Sequence, residues 1–127
     1  MNLNILVVDD SRTVRAVIKK TLRVAKIPVG ELIEAENGLV GLEKASSMSI
    51  DLIFADINMP IMGGVEMIER IRADQNLNQI PIVVISTDGS DERMSRLQKC
   101  GISAHLGKPF QPQEIRDVVC EIFGDIS

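Results

Sequence analysis

The sequence predicts an α/β domain: a doubly wound, five-stranded parallel sheet in a (βα)5 arrangement. Three observations carry that prediction. Short apolar runs alternate with longer amphipathic stretches along the chain. The strongest runs, residues 5–8, 52–55 and 82–85, are continuous rather than alternating, which marks strands buried on both faces. Right-handed crossovers between successive parallel strands then place helices on both sides of the sheet.

Each element has its own signal. The first strand is Ile5-Leu6-Val7-Val8. A helix follows, with Ser11 as its N-cap and Val14, Val17, Ile18 and Leu22 as its apolar stripe, while Arg12, Arg15 and Lys19 take the other faces. Residues 31–35 form a weaker second strand, and Asn37-Gly38 turns the chain into a helix over about 39–46. Leu52-Ile53-Phe54-Ala55 is the third strand, and Val65, Ile68 and Ile71 line the helix after it. Ile82-Val83-Val84-Ile85 is the fourth strand. Its helix is lined by Met94, Leu97 and Cys100 and stops at Gly101, a residue suited to a left-handed terminus. Residues 103–106 form the fifth strand. Gln111-Pro112 opens the last helix, where Ile115, Val118, Val119 and Ile122 repeat at i, i+3, i+4, i+7.

The 127 residues make one domain, 1–127, with no room for an output domain. Apolar residues at 45% and charged residues at 25% fit a soluble globular chain and argue against disorder. Fourteen Lys and Arg against 18 Asp and Glu leave a net charge of −4, which disfavours nonspecific nucleic-acid binding. Three Phe, no Tyr, no Trp and one His exclude aromatic stacking platforms and multi-histidine metal sites. Cys100 and Cys120 have no zinc-site spacing and read as small hydrophobes. No basic leader precedes the first apolar run, and no stretch reaches the roughly 20 apolar residues of a membrane span. A cytoplasmic protein is expected.

The polar residues fall at strand ends. The first strand runs into Asp9-Asp10, the third into Asp56, the fourth into Ser86-Thr87, and the fifth leads to Lys108. Open α/β sheets gather their ligands at the strands' carboxyl ends, so these residues should converge. Three carboxylates brought together repel, and only Lys108 opposes them. An all-oxygen set without His or Cys suits Mg²⁺. A carboxylate beside Mg²⁺ and Lys can attack a phosphoryl group and form an acyl phosphate. Ser86 can donate a hydrogen bond to a phosphoryl oxygen. Taken singly, Asp10 could simply cap a helix.

These residues also resemble a known family. Val7-Val8-Asp9-Asp10-Ser11, Asp56-Ile57-Asn58-Met59-Pro60, Ser86 after an apolar strand, and Lys108-Pro109-Phe110 are similar to the motifs of response-regulator receiver domains, of the stand-alone, CheY-like kind. The likeness covers the whole chain. It implies a flavodoxin-like strand order 2-1-3-4-5. It implies that Asp56 accepts a phosphoryl group from the histidine of a sensor histidine kinase in two-component or chemotaxis signalling. It implies Mg²⁺ held by Asp10, Asp56, the Asn58 backbone carbonyl and, through water, Asp9. Lys108 would contact the phosphoryl group, with a cis Lys108–Pro109 bond. Ser86 would report phosphorylation to the face of the fourth helix, fifth strand and fifth helix. The partner there would be a flagellar motor switch or a phosphorelay protein, with a phosphatase possible. No nucleic acid or membrane is implied.

Departures from the family pattern matter as much. His105 stands where Tyr or Phe is usual, and its imidazole would make output affinity vary with pH across neutrality. Thr87 is bulkier than the usual Ala, and Gly63 replaces a common Asp. Asn58 and Asp88 take the positions that tune self-dephosphorylation, and together imply a short-lived phosphorylated state rather than one lasting hours. Two rivals differ in class. A haloacid-dehalogenase-type phosphohydrolase would want a second carboxylate where Asn58 stands. A receiver-like interaction module that is never phosphorylated would not need Asp56, Ser86 and Lys108 together. No P-loop or dinucleotide fingerprint occurs.

Overall fold

The computed structural model describes residues 2–86 and 91–124, without the side chains of residues 91–94. Its elements run β1 (Leu3–Val8), α1 (Arg12–Val24), β2 (Val29–Ala35), α2 (Gly38–Ser47), β3 (Leu52–Ala55), α3 (Gly64–Ala73), β4 (Ile82–Ser86), α4 (Asp91–Lys99), β5 (Ala104–Gly107) and α5 (Pro112–Phe123). The strands form one parallel sheet in the order β2-β1-β3-β4-β5, as expected. β1 sits between β2 and β3, with Val8 in register with both Ala35 and Ala55.

The continuous apolar runs are explained by a core on each face. Leu6, Val8, Ile53, Ala55, Ile82 and Val84 point to one side, where they meet Met67, Ile68 and Ile71 of α3 and Leu97 of α4. Ile5, Val7, Leu52, Phe54, Val83 and Ile85 point to the other, against Ile18 and Leu22 of α1 and Ile115, Val118 and Val119 of α5. Successive strand residues thus enter different cores. A one-residue slip would exchange the two packings.

Helix ends follow local chemistry. Ser11 Oγ accepts from Val14 N–H (3.2 Å), and Asn37 Oδ1 from Val40 N–H (2.9 Å). Gln111 and Glu114 form a reciprocal capping box, with Pro112 in the first turn of α5. Gly101 follows α4 at φ +78°.

One apolar position lies elsewhere than its spacing suggests. Val17 is 51% exposed, although Ile18 and Leu22 beside it are buried. The core-facing stripe of α1 is narrower than the spacing of apolar residues, and Val17 turns toward Lys108, Pro109 and Phe110. Both cysteines are half-buried, each packed against one core.

Two devices fix the frame. The Arg72 guanidinium donates to four carbonyls: Ile80 (2.8 Å), Asn78 (3.1 Å), Cys100 (3.1 Å) and Gly101 (3.1 Å). It ties the end of α3 to the approach to β4 and to the turn after α4. Arg96 of α4 adds a two-pronged pair with Glu69 of α3, at 2.8 and 3.1 Å. The second device is Gly64, whose N–H donates to Ile57 C=O at 2.8 Å. A Cβ there would stand 2.2 Å from the Asp56 carbonyl oxygen. Gly64→Ala must push the loop after β3 off this seat, and should cost roughly 1–3 kcal/mol of stability, the scale of core overpacking. Urea unfolding measures it; an unchanged midpoint would mean the loop yields freely.

Candidate functional site

The sheet's carboxyl edge brings together residues from distant parts of the chain. Asp9 and Asp10 follow β1, Asp56 follows β3, Ser86 ends β4 and Lys108 follows β5. The Asp56 N–H donates to Val8 C=O (3.0 Å), and the Lys108 N–H to Ser86 C=O (3.3 Å), so the ladder itself continues into the site. Asp9, Asp10 and Asp56 each present a carboxylate oxygen within 4.8 Å of the others. The Lys108 ammonium reaches across, 3.3 Å from Asp9 Oδ2 and 3.8 Å from Asp56 Oδ2.

Each acid has a distinct setting. Asp9 is buried. Its Oδ1 accepts from Ser11 N–H (2.8 Å), so the N-cap residue is tied to it. Asp56 is partly buried, and its Oδ1 accepts from Ile57 N–H (2.7 Å). Asp10 is exposed at the mouth. Burial raises the Asp56 carboxyl above its usual range, and the Asp9 charge adds to this; Lys108 and the N–H groups of Ile57 and Asn58 pull the other way.

Ser86 is buried at the end of β4, beside Gly107 on β5. Asn58 is exposed two residues beyond Asp56. The Lys108–Pro109 bond is cis, as expected. His105 lies on β5 opposite Val84, partly buried, and its Nε2 is enclosed with no hydrogen-bond partner among the described residues. Thr87 and Asp88 fall outside the described residues. One contributor was not legible in sequence. Arg15, read as an outer-face residue, donates from Nη1 to Asp9 C=O (2.6 Å) and pairs with Glu34 (3.0 Å), bracing the turn that carries Asp9. Its only sequence signal is a basic residue one turn after the acids.

A family model for the response regulator receiver domain matches residues 5–120. This chain is a response-regulator receiver domain. It is 33% identical over 123 residues to chemotaxis protein CheY1 of Helicobacter pylori J99, covering 96% of this chain and 98% of that one. It is similar in structure to the chemotaxis response regulator CheY4 of Vibrio cholerae (TM-score 0.84, 29% identity, 97% and 100% of the two chains). The receiver domain of a sensor histidine kinase from Pseudomonas aeruginosa PAO1, which has a magnesium ion coordinated in its active-site cleft, shares the fold (TM-score 0.85, 22% identity, 98% and 100%). The receiver is therefore CheY-like, a two-component signalling domain rather than a conventional enzyme. Among the described residues no helix is long and apolar enough to cross a membrane.

The Asp56 shift has a consequence for stability. A carboxyl whose folded value is raised binds its proton more tightly in the folded chain, so its contribution falls as pH rises past the usual carboxylate range. Asp56→Asn, always neutral, should therefore unfold at a higher temperature than the parent receiver at pH 7. The gap should close below about pH 3.5, under the ordinary Asp value. Paired melting curves at the two pH values check this; a less stable variant at pH 7 would contradict it.

Proposed function

We propose that Asp56 accepts a phosphoryl group from a phosphohistidine of a sensor kinase, and that the receiver then presents an altered surface to a downstream protein. The observation that carries this reading is the convergence of three carboxylates and one ammonium at the carboxyl edge of the sheet. Asp56 Oδ2 is the oxygen nearer Lys108, while Oδ1 is engaged with Ile57 N–H. An Oδ2 attack on phosphorus forms the new O–P bond as the P–N bond to histidine breaks, and the departing ring nitrogen keeps that bond's electron pair. Lys108 lies where it can balance charge on the transferring oxygens.

The donor set also fits a divalent metal. Its ligands are all oxygens, and three carboxylates against one ammonium leave excess negative charge. Asp9, Asp10, Asp56 and the Asn58 carbonyl would hold Mg²⁺. When bound, the ion supplies positive charge beside the phosphoryl oxygens. Ser86, at the end of the neighbouring strand, would donate its hydroxyl to a phosphoryl oxygen and draw on the strand that pairs with β5. His105, one strand across, faces the α4 side of the sheet and would couple that movement to the α4, β5 and α5 surface. Asn58 would help tune the lifetime of the phosphorylated state. The target is a protein, such as a flagellar motor switch or a phosphorelay component.

Phosphoramidate with Mg²⁺ should label the parent chain with acid-labile phosphate, and the label should decay well within hours. Asp56→Asn should abolish labelling, and Asp10→Ala should slow it at least tenfold, a loss of about 1.4 kcal/mol or more. Persistent labelling of Asp56→Asn would sink the site assignment. His105→Phe should flatten the pH dependence of binding to the downstream protein near neutrality. Binding curves at a series of pH values, with beryllofluoride standing in for the phosphoryl group, test this; identical profiles would remove His105 from the switch.

A further inference from the structure

The loop between β3 and α3 contains a residue that its fold does not reward. Met62 N–H donates to Pro60 C=O at 2.7 Å, closing a three-residue γ-turn around Ile61. Ile61 has φ +67°, which puts the turn in its strained, positive-φ form. A β-branched side chain is poorly suited to that region. Ile61 is also 80% exposed, the highest value among the exposed large hydrophobics of the described residues.

The surrounding residues explain why the turn cannot relax. Met62 is buried in the core under α2 and α3. Its carbonyl accepts from Gly38 N–H (2.9 Å), and a Cβ on Gly38 would stand 2.6 Å from that oxygen. Gly64 is seated on the Asp56 and Ile57 backbone. The chain is thus pinned on both sides of residue 61. Gly or Asn would fit the same turn with less strain. So exposed an isoleucine gains little burial to offset its conformation, and strain of this kind gathers at functional surfaces.

Its position indicates what it contacts. Ile61 is five residues beyond Asp56, in the loop at the carboxyl end of the sheet. Two other exposed apolar side chains belong to that end: Leu39 (40%), next to the Gly38 that bonds the loop, and Val17 (51%), beside Lys108 and Phe110. A protein that delivers a phosphoryl group to Asp56 must seat itself over this end. At this end α1 begins with the exposed Arg12 and has no acidic residue in its first turn, in a chain of net charge −4. That charge complements an anionic phosphohistidine surface.

We infer that Ile61 is a docking residue for the phosphodonor protein: an apolar anchor held outward by a strained turn at the rim of the acidic pocket. This rests on the phosphoacceptor reading of Asp56. The experiment compares two donors, phosphoramidate and a ³²P-labelled histidine-phosphotransfer domain of a sensor kinase that phosphorylates the parent chain. Ile61→Asn and Ile61→Gly should lower kcat/KM for the protein donor at least fivefold relative to phosphoramidate labelling. The Ile61→Asn melting temperature should equal or exceed the parent's, because strain is relieved. Ile61→Leu, which keeps the apolar bulk, should retain at least half of the protein-donor rate. An unchanged ratio of the two rates in both polar and glycine variants overturns the inference, as does a lowered melting temperature for Ile61→Asn, which would make the residue structural. Failure of phosphoramidate to label the parent would instead overturn the phosphoacceptor reading beneath it.

Discussion

Like-charge repulsion organises the carboxyl end of this sheet. Two unit charges about 4 Å apart interact by roughly 4 kcal/mol at the screening typical near a protein surface. Three carboxylates within 4.8 Å of one another therefore cannot coexist without a matching set of donors. Lys108 supplies a full positive charge between two of the acids, 3.3 Å from Asp9 and 3.8 Å from Asp56. Backbone N–H groups of Ser11 and Ile57 serve the second oxygens of the same two acids, and Arg15 braces the carbonyl of Asp9 from behind. The N-cap of α1, the seat of Gly64 and the turn after β5 all maintain this one arrangement.

The sheet makes such crowding sustainable. Asp9 and Asp56 are each one residue beyond strands that are buried on both faces, so neither can drift apart without breaking strand pairing. Packing on two sides supplies the stability, and the edge spends part of it on a poised electrostatic site. The receiver's chemistry is thus a property of strand ends rather than of any one motif, which is why residues 99 positions apart can share a hydrogen bond.

Much of this was legible in the sequence, for physical reasons that differ by element. Continuous apolar runs could only be doubly buried strands, and all five strands lie within two residues of their expected bounds at each end. Ser11, Asn37, Gly101 and Pro112 mark helix ends because each satisfies a backbone requirement that few residues can. Convergence of Asp9, Asp10, Asp56, Ser86 and Lys108 followed from the crossover rule. What sequence spacing could not show was rotation and turn conformation. Val17 shares the spacing of a core residue but lies on the solvent side, since helical periodicity gives a stripe without its width. Ile61 looks like any loop isoleucine until its φ is known, because the strain arises from Met62 and Gly64 being fixed in the core. The enclosure of the His105 Nε2 depends on what packs over β5, and no local pattern encodes that.

Arg72 gives the molecule a mechanical asymmetry. Its guanidinium holds the carbonyls of Cys100 and Gly101, at the far end of α4, to the same side chain that holds the entry to β4. Arg96 adds a second tether from α4 to α3. A helix fastened at one end behaves as a lever with its fulcrum there: it can swing but not slide. Any displacement of α4 would vanish at the guanidinium and grow with distance from it, so the pivot of this helix lies on the opposite edge of the sheet from the acidic pocket.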